Sequence, residues 1–178
     1  MKKLFTIAIM VMAFIATPSV SAQFAGIQKS PTDIAYAKAD RRAKPTMKVI
    51  YSRPMKKGRE LFGELVPYGK VWRTGADEST EIKLFKDYKL GGKTIKAGTY
   101  SLFTIPGEKE WTIILNSDLD NWGHYSYNEA NDVARINVPV STGKEELEAF
   151  SIGFKGVDSG YHLIMGWGDT RVEVPFNN

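Results

Sequence analysis

From Met47 onward the chain alternates between apolar and polar positions. Val49 and Tyr51 alternate with Lys48 and Ser52, and Trp111, Ile113 and Leu115 with Thr112, Ile114 and Asn116. Ala134, Ile136 and Val138 alternate with Arg135 and Asn137, Phe150, Ile152 and Phe154 with Ser151, Gly153 and Lys155, and Val172, Val174 and Phe176 with Arg171 and Glu173. A period of two marks a strand with one face buried. Gly91-Gly92, Ala97-Gly98, Pro106-Gly107, Ser141-Thr142-Gly143 and Asp158-Ser159-Gly160 punctuate the runs, as clusters that close hairpins do. With turns about 8–15 residues apart and no helical period between strands, the pattern predicts an all-β fold. The expected architecture is a single antiparallel β-sandwich, jelly-roll-like or a related barrel, of roughly eight to ten strands.

The first 45 residues read differently. Lys2 and Lys3 precede an apolar run from Leu4 to Ile15, then Thr17-Pro18-Ser19 and the small residues of Val20-Ser21-Ala22. This is the pattern of a cleaved signal peptide over residues 1–22. A run of about 12 residues makes a helix of about 18 Å, too short for a hydrocarbon core of about 30 Å. No later segment is apolar for long enough to span, so no membrane span is expected after signal cleavage. Residues 23–45 read as a leader with a short helix. Ser30-Pro31-Thr32-Asp33 resembles a helix start, and the predicted helix covers about Pro31 to Asp40. Residues 46–178 form the predicted β-sandwich domain.

Composition sharpens the compartment. There are no cysteines, which excludes thiol nucleophiles, thiolate metal sites and disulfide staples. Export without disulfides points to the bacterial envelope, periplasmic or secreted. The formal net charge is +4, unevenly spread. Residues 23–60 carry ten Lys and Arg against Asp33, Asp40 and Glu60. The basic segment 29–59 is therefore a candidate surface for an acidic envelope partner, or a solvated face balanced by the acidic remainder. Export makes nucleic acid an unexpected partner.

One set of runs carries a resemblance. It comprises Val49-Ile50-Tyr51-Ser52-Arg53-Pro54, Lys57-Gly58-Arg59, Phe62-Gly63, Trp72-Arg73-Thr74-Gly75-Ala76, Gly92 followed by Ala97-Gly98-Thr99-Tyr100-Ser101-Leu102, and Trp122-Gly123 with Tyr125 and Tyr127. Together these resemble the bacterial exported family called domain of unknown function 2911, over about residues 30–176. The resemblance implies a mostly β protein exported by Gram-negative bacteria. No activity or catalytic residue is established for that family, so it implies none here.

Two stretches concentrate candidate chemistry. In the first, Trp72 and Arg73 stand beside Asp77 and Glu78; an arginine fork grips a carboxylate while an indole offers a stacking face. The bland alternative is a loop in which Trp72 fills the core and Arg73 meets an acid. In the second, Trp122, His124, Tyr125 and Tyr127 lie among polar neighbours and suggest a platform for a sugar ring, or simply core aromatics. Arg135 is a further candidate for ligand binding. Asn116, Asp118 and Asp120 alternate as oxygen ligands for calcium do, but the EF-hand pattern fails at Asn121 and Tyr127. His124 and His162 are too few for a three-histidine zinc site, and no cofactor is expected. The residues favour a non-catalytic binding module for a small polar or saccharide ligand. The alternatives are a hydrolase of cell-wall or glycan substrates, with Asp77 or Glu78 as acid and His124 as base, and an envelope assembly protein.

Overall fold

The structure, a computed structural model, describes residues 26–178. The expected signal peptide lies outside the described residues. Nine strands follow in order: β1 Thr32–Ala37, β2 Met47–Ser52, β3 Glu81–Leu84, β4 Tyr88–Leu90, β5 Lys93–Ile95, β6 Gly98–Ile105, β7 Glu110–Asn116, β8 Asp132–Val157 and β9 Gly160–Asn177. All pairings between these strands are antiparallel, in the order β1-β2-β3-β6-β7-β8-β9-β4-β5. Among the described residues the one helical element is a 3-10 turn at Glu129–Asn131. Among the described residues no helix is long and apolar enough to cross a membrane.

The long strand β8 turns this sheet into a sandwich-like fold. It pairs with β7 through Asp132–Pro139 and with β9 through Val140–Val157, and its register slips between Thr142 and Leu147 and again before Ser151. Such bulges bend a strand and increase its twist. The two parts of the sheet consequently face one another across one core. Val49, Ile82, Leu102, Ile113 and Leu115 come from one part, and Phe150, Leu163, Met165, Val174 and Phe176 from the other. The β2 end of the sheet is stitched to β8: Phe150 N–H donates to Pro54 O (2.9 Å) and Lys56 N–H to Glu148 O (2.7 Å). Tyr51 Oη accepts from Ile152 N–H (2.9 Å), and Arg53 Nε donates to Phe150 O (3.1 Å).

The predicted helix at Pro31–Asp40 is instead β1. Thr32 to Ala37 pair residue for residue with Ser52 to Met47, exposing Thr32, Ile34 and Tyr36 and burying Ala37. A helix of this length is marginal alone, whereas β2 offers a ready ladder. Ser141-Thr142-Gly143, expected as a turn, runs inside β8. The other four turn clusters do separate strands.

Candidate functional site

The loop after Asn116 covers the outer face of β6 and β7. Phe103 and Ile114 are fully buried there, outside the main core cluster. Phe103 meets Tyr127 edge-on at 5.1 Å, and Tyr127 Oη donates to Asp132 Oδ2 (2.7 Å). Burial and that bond push the Tyr127 hydroxyl pKa upward, so Tyr127 is a fold residue and no free platform. Asn116 is equally committed. Its Nδ2 donates to Asn128 O (2.9 Å) and Asp132 Oδ1 (2.8 Å), and its Oδ1 accepts from Asp118 N–H (2.9 Å). Asp118 Oδ2 accepts from Asn131 (2.6 Å), and Asp120 is exposed at a φ of 57°. Asn116 and Asp118 thus spend side-chain oxygens on holding the loop, while Asp120 faces outward. Among the described residues no group of three His, Asp or Glu side chains converges as metal ligands.

This loop then meets the Trp72 loop. Glu78 and Trp122 form an antiparallel bridge. Ser79 N–H donates to Asn121 O (2.9 Å), and the buried Ser79 hydroxyl donates to Gly123 O. Gly123 has φ +73°, and a β-carbon on it would lie 2.8 Å from Arg73 Cζ. A glycine is needed both for the backbone angle and for the space the guanidinium occupies. Arg73 Nη1 donates to Asp77 O (2.7 Å) and Nη2 to Tyr125 Oη (3.3 Å), with Cζ over the Tyr125 ring at 5.3 Å. His124 stacks on the same ring at 5.0 Å. Arg73, Asp77, His124 and Tyr125 therefore form one connected group.

Beside them opens a groove of about 760 Å³, within the range of small-ligand sites. Its walls come from the leader at Lys29 and Ser30, from Pro54–Arg59, from Leu65–Asp77 and from His124. Trp72 and Trp167 reach it from the core, stacked at 6.0 Å and 12°. Trp72 is buried and donates through Nε1 to Gly75 O (3.1 Å). Lys57 and Asp77, which line the groove, and Thr74, buried behind it, all hold positive φ, at 51°, 59° and 55°. For β-branched Thr74 the strain costs on the order of 1–3 kcal/mol. Its hydroxyl bond to Thr104 Oγ1 (3.1 Å) and the bond its carbonyl accepts from Thr80 (2.7 Å) hold it there.

Other candidates separate from the groove. Glu78 lines a second, smaller depression with Tyr51, Ser52, Glu81 and Asp120. This leaves Asp77 as the single carboxylate lining the groove among the described residues. Trp122 is 59% exposed and Tyr125 75%, and neither is in the groove's lining. Arg135 stands apart, paired with Glu129 and with Asp132 (3.5 Å). His162 pairs with Glu173 on β9. Lys57 and Arg59, expected only as part of the basic segment 29–59, and Lys70, absent from the sequence-based candidates, line the groove. The basic run itself divides. Lys38, Arg41, Arg42 and Lys44 sit at the β1–β2 turn, and Lys57 and Arg59 lie beyond the other end of β2, a strand length of about 20 Å away.

His124 carries a distinct electrostatic signature. Its Nδ1 is buried with no hydrogen-bond partner among the described residues. Burial first, and then the Arg73 charge, lower its pKa from 6.5. The folded state thus binds this proton less readily than the unfolded chain. His124 contributes stability that is complete above 6.5 and is lost as pH falls below that value toward the folded pKa. We expect an imidazole NMR titration midpoint below 6.5. It should move back partway in Arg73→Gln, because burial remains. A midpoint at or above the ordinary histidine value refutes this.

A bent antiparallel β fold with a largely apolar groove bordered by cations, beside the meeting of two loops, is the class of protein that these features define. Over residues 30–176 the chain matches the family described as protein of unknown function (DUF2911), and it belongs to that family. No curated protein and no solved structure matches it.

Proposed function

We propose that this protein is an exported, non-catalytic module that binds a small polar or saccharide ligand in the groove beside Arg73 and His124. One observation carries the reading: the two aromatic and polar loops meet beside the groove through the Glu78–Trp122 pairing and the Arg73–Tyr125 contact, 44 and 52 residues apart in sequence, and bring Arg73 and His124 into its lining. Arg73 offers a fixed fork to the groove, and Trp122 and Tyr125 present exposed rings beside it. Binding is favoured over glycoside hydrolysis because that chemistry needs two carboxyl groups flanking the scissile bond, and Asp77 alone lines the groove. Export rests on the charged, apolar and small-residue order of residues 1–22.

A thermal-shift panel of mono- and oligosaccharides, amino acids, calcium and zinc tests the proposal. A ligand at 100 times its Kd stabilises by about 2.7 kcal/mol, a rise of roughly 5–10 °C for a domain of this size. We expect such a rise with one ligand class, and its loss in Arg73→Ala and Trp122→Ala. A flat panel, or a rise unchanged in both variants, removes the groove from the function.

A further inference from the structure

We propose that the ligand of this groove is an acidic oligosaccharide, carrying one carboxylate per sugar ring. The inference rests on the binding reading above and adds the charge and chain character of the ligand. Five cations line the groove, Lys29, Lys57, Arg59, Lys70 and Arg73, against Asp77 alone. Among the described residues none of the five is in a salt bridge. Two acids near this face are spent on other partners, Glu146 on Lys56 and Asp33 on Arg53, and neither lines the groove. Arg59 donates only to the main-chain oxygens of Lys56 (2.9 Å) and Met55 (2.6 Å), and Arg73 to Asp77 O and Tyr125 Oη.

Like charges gathered in one concavity repel each other and raise the local concentration of anions. Folding tolerates that arrangement more readily when a ligand supplies the opposite charge. The spacing of the cations then selects among anions. They come from three separate segments, at residue 29, at 57–59 and at 70–73. A compact phosphate draws its donors to a single point, whereas this groove distributes single charges along about 760 Å³. A chain of acidic sugars matches that distribution. Each ring also brings an apolar face suited to the apolar wall at Pro54, Met55 and Leu65. His124, held neutral beside Arg73, offers a hydrogen bond to a sugar hydroxyl without adding a charge.

The test compares trigalacturonate with its fully methyl-esterified form, and with inorganic phosphate, by isothermal titration calorimetry on the purified protein. The expected result is acid binding at least about tenfold tighter than ester binding, with the gap shrinking as salt rises and screens the charges. Lys57→Gln/Lys70→Gln, two exposed positions, should weaken the acid and leave the ester unchanged, with an unaltered melting temperature showing that the double variant folds. Equal affinity for acid and ester overturns the inference and leaves the binding reading standing. So does phosphate binding without the sugar, which would make the groove an anion site of another kind. Silence toward all three also overturns the inference. The binding reading falls only if the neutral sugars and amino acids of the thermal-shift panel are silent too.

Discussion

Trp167→Ala is expected to destabilise the protein by about 3–5 kcal/mol, the range for truncating a fully buried large aromatic. Trp167 is 1% exposed. It stacks on Trp72, meets Phe62 at 6.2 Å and Phe150 at 6.1 Å edge-on, and donates through Nε1 to Glu148 O (3.1 Å). Alanine would leave a void between the two parts of the sheet where β8 bends, and an acceptor without its donor. The void cannot close easily, since Phe62, Trp72, Trp111 and Phe150 already brace one another at centroid distances of 4.9–6.2 Å. For a domain of this size the loss corresponds to about 6–20 °C in melting temperature. Trp122→Ala provides the contrast: its ring is 59% exposed, and truncation should stay within about 0.5 kcal/mol. Thermal melts of both variants separate the tryptophan that builds the groove from the one available to a ligand. Similar losses in the two would refute that division.

The sequence pattern revealed strands wherever one face is buried and the other is not. β2, β7 and the segments at 134–138, 150–154 and 172–176 alternate visibly. β6 does not, because Leu102 and Phe103 are both fully buried, one in the main core and one beneath the loop that carries Tyr127. The continuity of β8 was hidden for the opposite reason. Gly143 to Glu146 are largely exposed on both sides of the bend, and that polarity imitates a turn. The helix expectation at Ser30-Pro31-Thr32-Asp33 weighed a local start signal and missed that Asp33, Ala35 and Ala37 already alternate against exposed Ile34 and Tyr36.

The candidate site was legible as composition and not as geometry. Trp72, Arg73, Asp77, Trp122, His124 and Tyr125 stand out as aromatic and polar residues in loops, and they do gather. Their meeting depends on β3 lying between β2 and β6 and on the Glu78–Trp122 bridge, long-range pairings with no local mark. Adjacent carboxylates part for the same reason. Asp77 holds a positive φ that turns the chain, so Asp77 and Glu78 line different depressions. Lys70 carried no signal at all, since a lysine near a Gly and a Tyr reads as ordinary surface.

Gly160→Ala should cost about 2–5 kcal/mol, combining backbone strain with overpacking. The turn cluster Asp158-Ser159-Gly160 was visible as a hairpin between β8 and β9, but the reason for its glycine was not. The bent hairpin carries its own tip back to its own end, where Asn178 N–H donates to Ser159 O (2.7 Å). Gly160 has φ +145°, and a β-carbon there would run into Phe176 O and sit 3.2 Å from Asn177 Cα. Those neighbours are backbone atoms of a strand whose Phe176 is fully buried, so neither side can yield without opening the closure. Gly92 isolates the backbone term. Its φ is +82° with nothing within 4 Å of the added carbon, so Gly92→Ala should cost only about 1–2 kcal/mol. Urea unfolding of the two variants reads the difference directly. Equal losses would mean that the contact between the hairpin tip and the C-terminal end does not constrain the fold. A larger loss at Gly160 would mean that the sheet is held shaped by closing on itself, which keeps the β8 bend, and with it the Trp72–Trp167 stack and the groove, in place.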